Sequence, residues 1–214
     1  MLKPQALRPL LAAMVRAEEL SRDVALAQAL IAPPPLAPVL ARQGRQEALH
    51  ALTFRRVLQC LPGNAPCPPA LVQVMDAWQA RLMDDVQAGR LAASLLGLQC
   101  VLEGLACAAL APPPGELARM ADAWVPLRPL VLHQEMAHRK LGTTWVARLA
   151  PADGAELRSA RADYVALGGE LLEAGLSSLD CLAADADHYR AAVRRELAGA
   201  CPGIPDGHPT PRRL

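Results

Sequence analysis

Apolar positions recur every three or four residues along most of the chain, and short runs of proline cut that rhythm into pieces. This recurrence is the signature of amphipathic helices. The first predicted helix spans about 7–31, with a stripe through Leu7, Leu11, Met14, Val15, Ala25 and Ala29, and Pro33-Pro34-Pro35 ends it. The second spans about 36–61 along Leu36, Leu40, Gln43, Glu47, His50, Phe54, Val57 and Leu61, and Pro62-Gly63-Asn64 closes it. Residues 62–90 form a connection with its own amphipathic helix through Leu71, Met75, Trp78, Leu82 and Val86. About twenty helical residues reach roughly 30 Å, enough to carry the chain from one end of a bundle to the other. A third core helix is expected at about 90–110, with Leu95, Leu96, Gln99, Glu103, Ala106 and Leu110 on one face, and Pro112-Pro113-Pro114 after it. A short helix at 115–124 precedes a fourth core helix at about 129–149, striped by Leu132, Glu135, His138, Leu141 and Trp145. Two further helices, at about 153–176 and 180–198, and a disordered tail at 201–214 complete the expectation.

Composition agrees with that reading. Ala, Leu and Arg dominate, aromatics make up only 3% of residues and β-branched residues are sparse, which favours helix over sheet. The expected fold is all-α: one domain over 1–200, a four-helix bundle core at about 7–149 with a long crossover, and accessory C-terminal helices at about 153–198. The formal charge is +1 and basic residues are dispersed, so neither nucleic acid nor a membrane surface is an expected partner. Arg16, Glu18 and Glu19 interrupt the N-terminal region before a secretory apolar run develops, and no charge-free stretch reaches membrane-spanning length. The six cysteines show no CxxC spacing and read as reduced thiols of a cytoplasmic protein.

The chemistry lies where acids break the apolar stripes. Glu47-Ala-Leu-His50 and Glu135-Met-Ala-His138 each place a glutamate and a histidine one turn apart on a core-facing stripe. Glu18 and Glu103 add one buried-face acid from each of two other helices; Glu18 fits its stripe better than Glu19. Two E-x-x-H pairs plus two further glutamates are the ligand set of a carboxylate-bridged di-iron site in a helical bundle. Four carboxylates balance two divalent cations, and without metal they would repel one another and resist desolvation. The blander reading makes both pairs solvated i,i+3 partners; their register with the core stripes argues against it. Apart from this pseudo-duplication of hairpins, each ending in E-x-x-H, the chain has no internal repeat.

With these residues in hand, the chain resembles the ferritin-like di-iron carboxylate superfamily over about 7–149. Glu18-Glu-Leu-Ser-Arg-Asp is similar to the E-x-x-A-R stretch of rubrerythrin-type members. The segment from Glu135-Met-Ala-His138 through Trp145-Val-Ala-Arg-Leu149 loosely resembles the last ligand helix of phenylacetyl-coenzyme A epoxidase subunits. The resemblance implies an oxygen-activating centre in which Glu18, Glu47 and His50 serve one iron and Glu103, Glu135 and His138 the other, two glutamates bridging. It departs from rubrerythrins in lacking a CxxC…CxxC tail, and from radical-storing members in showing no tyrosine on a core stripe.

Several neighbours are candidates for supporting roles. Gln43 and Gln99 stand one turn before ligand glutamates, and Arg22 one turn after Glu18, where each could orient a carboxylate. Phe54, Trp145, Cys100 and Cys107 are core residues or walls of a pocket. His133 lies off the ligand face, and His188 and His208 read as structural or exposed. No nucleophile elbow or Gly-rich phosphate loop is present. The expected function is a di-iron oxygenase or oxidase that uses O2 on a small organic substrate. It would draw on an electron donor such as a reductase or ferredoxin, with manganese or a mixed manganese–iron pair served by the same ligands. A homodimer is also expected. The alternatives are a ferroxidase or peroxide scavenger, and a metal-free helical interaction protein. An apolar cavity beside the irons marks the oxygenase; an acidic, hydrated path marks the ferroxidase.

Overall fold

The computed structural model describes residues 7–64, 66–110, 128–179 and 186–199, and among them every regular element is helical. The helices are α1 (Leu7–Ile31), α2 (Ala37–Cys60), α3 (Pro69–Gln87), α4 (Leu91–Leu95), a π-helical segment (Leu96–Leu102), α5 (Glu103–Leu110), α6 (Arg128–Ser178) and α7 (Ala186–Gly199). The expected short helix at 115–124 and the tail at 201–214 lie outside the described residues.

Proline sets several boundaries. Pro38 and Pro69 stand in the first turns of α2 and α3, where their missing N–H is not needed. At the other end of α2, the Arg8 guanidinium from α1 donates to the carbonyls of Leu58 and Leu61, where the helix runs out of backbone N–H donors. That contact also sets α1 and α2 antiparallel. Arg16 donates to Asp76 and Gln79, and Gln28 to Ser94, so α3 climbs alongside α1 and the next helix starts level with the end of α1. α3 is therefore the crossover, and α2 and the Leu91–Leu110 run descend in the same direction.

Hydrogen bonding continues through α6 from Arg128 to Ser178, where two helices were expected on either side of Pro151. The element is not straight. Gly142 packs on Gln99 and Cys100, while Tyr164 packs on Gly97. Twenty-two residues of straight helix would separate those two contacts by about 33 Å. The chain thus doubles back near 150–154, giving two antiparallel arms at close to the expected boundaries. The first arm carries the second E-x-x-H pair; the second arm and α7 cover α5.

Leu91–Leu110 has the length and mean hydropathy (1.7) of a membrane span, yet 89% of its most apolar window is buried within the bundle. It is the central core helix. Around it pack Leu20, Val24, Leu40, Trp78, Leu82 and Val146. Tyr164 is also fully buried, its hydroxyl donating to Asp85 at 2.6 Å and its ring 6.0 Å from Trp78. This corrects the expectation that no tyrosine occupies the core. Its helix pattern hid it, because its partners Asp85, Arg81 and Gly97 lie far away in sequence. Arg81 and Arg90 neutralise the buried Asp85 carboxylate, so no charge is left unpaired there.

Candidate metal centre

Each ligand candidate sits in the interior of its helix, on the face turned to the bundle axis. Glu18, Glu47, His50, Glu103, Glu135 and His138 are all at most 8% exposed. Glu19 instead pairs with Arg55, and of the two neighbouring acids on α1 it is Glu18 that faces the cluster. The six residues form two overlapping groups, Glu18–Glu47–His50–Glu135 and Glu47–Glu103–Glu135–His138, with ligand atoms in each group within 4.8 Å of one another. Glu47 and Glu135 belong to both. The two imidazoles flank the cluster with ring centroids 6.5 Å apart.

Both histidines point Nδ1 inward. His50 Nδ1 lies 3.1 Å from Glu47, 3.1 Å from Glu135 and 3.3 Å from Glu18. His138 Nδ1 lies 3.0 Å from Glu47 and 3.5 Å from Glu135. Their outer nitrogens are held by a reciprocal pair of glutamines. His50 Nε2 donates to Gln134 Oε1 at 2.6 Å, and His138 Nε2 donates to Gln46 Oε1 at 3.1 Å. An amide oxygen only accepts, so the proton sits on Nε2 and Nδ1 is left to bind a cation. Gln46 and Gln134 immediately precede the two ligand glutamates, so the repeated motif is Q-E-x-x-H, and each glutamine clasps the histidine of the other copy. Sequence reading stopped at E-x-x-H. The shared glutamine was visible in both copies, but it lies off the apolar stripe.

A buried amide chain supports the carboxylates. Gln43 Nε2 donates to Glu47 Oε1 at 3.0 Å and to Glu103 Oε1 at 3.2 Å, as expected of a residue one turn before Glu47. Gln99 does not reach Glu103. It donates to Gln43 Oε1 at 3.2 Å and to Gln28 Oε1 at 2.7 Å, and Gln28 donates to Ser94 at 2.9 Å. The π segment widens the turn between Gln99 and Glu103, so the two do not stack as in an α-helix. Gln28 and Ser94 carried no signal in the sequence because their partners come from other helices. Arg22, expected beside Glu18, pairs with Asp23 instead. Phe54 is fully buried in a lower cluster with Leu11, Val57, Leu110 and Val131. Trp145 lies under the Arg148 guanidinium. Cys100 and Cys107 are buried core thiols. None of these four lines a pocket next to the cluster.

Charge decides how this cluster exists without metal. Two like charges about 5 Å apart repel by about 3 kcal/mol at an effective dielectric near 20. Five of the six carboxylate pairs fall within one or other group. Fully ionised, they would cost about 15 kcal/mol, as much as a whole domain's stability. Protons relieve that cost. Burial, with the charges of Glu135 and Glu47 adding, pushes Glu18 up to about 8, and burial next to the same acids holds Glu103 well above the carboxylate range. Burial also opposes ionisation of Glu47 and Glu135, but the facing imidazoles, and for Glu135 the adjoining Glu103 carboxyl, outweigh it and lower both. Burial disfavours the imidazolium at His50 and His138, but the surrounding carboxylates win. His50 rises above its ordinary range and His138 rises to about 9.

The donor set fits divalent metal. Glu47 Oε2, both carboxylate oxygens of Glu135 and Nδ1 of His138 are shut off from solvent, and the ionic contacts they make across the cluster, at 3.0–3.5 Å, include no well-formed hydrogen bond. Buried lone pairs of this kind are costly unless something else satisfies them. Two spaces adjoin the cluster. A cleft of about 510 Å³ opens between α2 and the first arm of α6 over His138, edged by Arg42, His133 and Lys140. On the other side, a pocket of about 160 Å³ lies among α1, α3, α5 and the second arm of α6, with Glu18 and Glu103 in its wall. No protein-family model matches the chain, and no curated protein matches it either, so the reading of this centre rests on its own residues.

Proposed function

We propose that the chain is a non-haem di-iron oxidoreductase of ferritin-like type that uses O2 to oxidise a small organic substrate. The observation that carries the reading is the convergence of six buried ligand residues, whose central atoms on Glu47, Glu135 and His138 are closed to solvent and held by ionic contacts alone. Glu18 and His50 would complete one ion's shell, Glu103 and His138 the other's, and Glu47 and Glu135 would bridge. The up-down-down-up order of the four core helices around one crossover, as in ferritin-like bundles, supports the assignment. Held by these six residues, a redox-active metal pair would provide the electron chemistry for dioxygen, with a reductase or ferredoxin as the external electron donor. Manganese, or a manganese–iron pair, suits the same donors.

The protein's own groups do the rest. Gln46 and Gln134 fix both imidazoles as Nδ1 donors. Gln43 holds Glu47 and Glu103 through one amide. The apolar shell excludes water. A ferroxidase needs an acidic route for cations, and the cleft over His138 carries Arg42, His133 and Lys140 instead. A metal-free interaction protein would have no use for four buried carboxylates converging on two imidazoles. Anaerobic Fe(II) loading of the native chain and of Glu103→Ala, followed by oxygen and near-ultraviolet absorbance, tests the reading. About two irons per chain, reduced in the variant, with an oxygen-dependent band, is the expected result. A native chain that holds no stoichiometric metal overturns it.

A further inference from the structure

The pocket beside Glu18 and Glu103 has a definite chemistry, and we infer that it is the substrate site and takes an uncharged, apolar molecule of about one aromatic ring or a short alkyl chain. This inference rests on the metal-centre reading above. Its walls are carbon on every side but one: Ala13 and Ala17 from α1, Ala106 from α5 and Gly168 from the second arm of α6, with leucines and methionines between them. The polar exceptions are Ser21 and the carboxylates of Glu18 and Glu103. These two acids are the non-bridging carboxylates of the two ions, so a molecule in the pocket touches both halves of the centre.

Size and charge define the occupant. The volume of about 160 Å³ is close to the roughly 150 Å³ of an apolar cavity able to hold benzene. The small side chains at 13, 17, 106 and 168 keep that space open. Gly168 is under pressure from its other side, since a Cβ there would sit 2.8 Å from Leu197. No cationic side chain lines the pocket, so an anion would lose its hydration and meet two carboxylates. The basic edge of the structure lies across the cluster, around Arg42 and Lys140. An anionic substrate would be excluded from the pocket and an apolar one retained.

The test uses metal-loaded protein under anaerobic conditions, with toluene binding followed by headspace partition and benzoate binding by calorimetry. Native protein is expected to bind toluene saturably and benzoate not at all. Ala106→Leu fills the pocket and should weaken toluene about tenfold or more while leaving metal content and helicity in place. Ala109→Phe, at an exposed position of the same wall, guards against misfolding of the first variant and should weaken toluene as well. Full metal loading with no toluene binding, or with benzoate preferred, overturns the substrate assignment alone. Equal toluene affinity in native and both variants does so too. Failure of the native chain to load metal overturns the function reading, and this inference with it.

Discussion

Filling the centre with two divalent ions is expected to expel protons, and the directions in which the buried groups are shifted set the number. At neutral pH the metal-free cluster holds one proton on Glu18, whose value is pushed up to about 8, and one on Glu103, held well above the carboxylate range. It holds two more on the imidazoles of His50, raised above its usual range, and His138, raised to about 9. Glu47 and Glu135 are lowered and ionised. Two carboxylates and two imidazolium ions sum to zero, and two metal ions on four carboxylates and two neutral imidazoles also sum to zero. Loading therefore exchanges about four protons for two ions, and each pH unit below about 8 weakens binding of the pair by about 5 kcal/mol. The sign for the metal-free fold is opposite. Raised Glu18, Glu103, His50 and His138 stabilise it at low pH, and this contribution fades as pH rises from the ordinary carboxylate value through about 8 and 9. Lowered Glu47 and Glu135 stabilise it above the ordinary carboxylate value and cease to as pH falls below it. The metal-free protein is thus most stable in mildly acid solution, and the gain in unfolding midpoint on adding Mn(II) grows steeply from about pH 5.5 to about pH 7.5. Thermal unfolding with and without Mn(II), plus calorimetry in two buffers of different ionisation heat to count protons, measures both quantities. A metal-induced shift that is flat with pH, or release of fewer than about two protons per pair of ions, would refute this charge assignment.

Other consequences are as direct. Gln46→Leu and Gln134→Leu each release one imidazole, and Mn(II) titration should show affinity lower by about 10- to 100-fold with helicity retained; native affinity in both would remove the clasp from the account. Gly97→Ala puts a Cβ 2.3 Å from the Tyr164 ring, and urea unfolding should register a loss of about 1–3 kcal/mol. Tyr164→Phe deprives buried Asp85 of a donor at 2.6 Å, and the expected loss is about 1–2 kcal/mol with metal stoichiometry unchanged. A fall in metal content there would mean that the Asp85 cluster supports the centre itself.

Much of this was readable in the chain because the expensive features sit on the cheapest pattern. An acid on an apolar stripe is conspicuous, and that alone picked out Glu18, Glu47, Glu103 and Glu135. The histidines followed from spacing, and Gln43 from standing one turn ahead of Glu47. What escaped depends on which helix lies opposite. Gln28 is an ordinary polar residue until Ser94 and Gln99 are brought to it from 66 and 71 positions away. Arg22 shows the converse, a well-spaced residue captured by its neighbour Asp23. The π segment also had no visible cause in sequence. Its site is where Gly97 admits Tyr164 and where Gly142 admits Gln99, both of them long-range fits.

The crossed glutamine clasps give the seam between α2 and α6 an unusual character. On one side of the cluster these two helices face each other across an open cleft, while Phe54 and Val57 share an apolar cluster with Val131. Between them, the histidine of each helix is gripped by a glutamine and faced by a glutamate of the other. Neither half of the centre can be tuned in isolation, since the residue that aims one imidazole belongs to the segment that carries the other. The two Q-E-x-x-H copies are therefore hinge and hasp of one seam, and a change in either is felt in both helices.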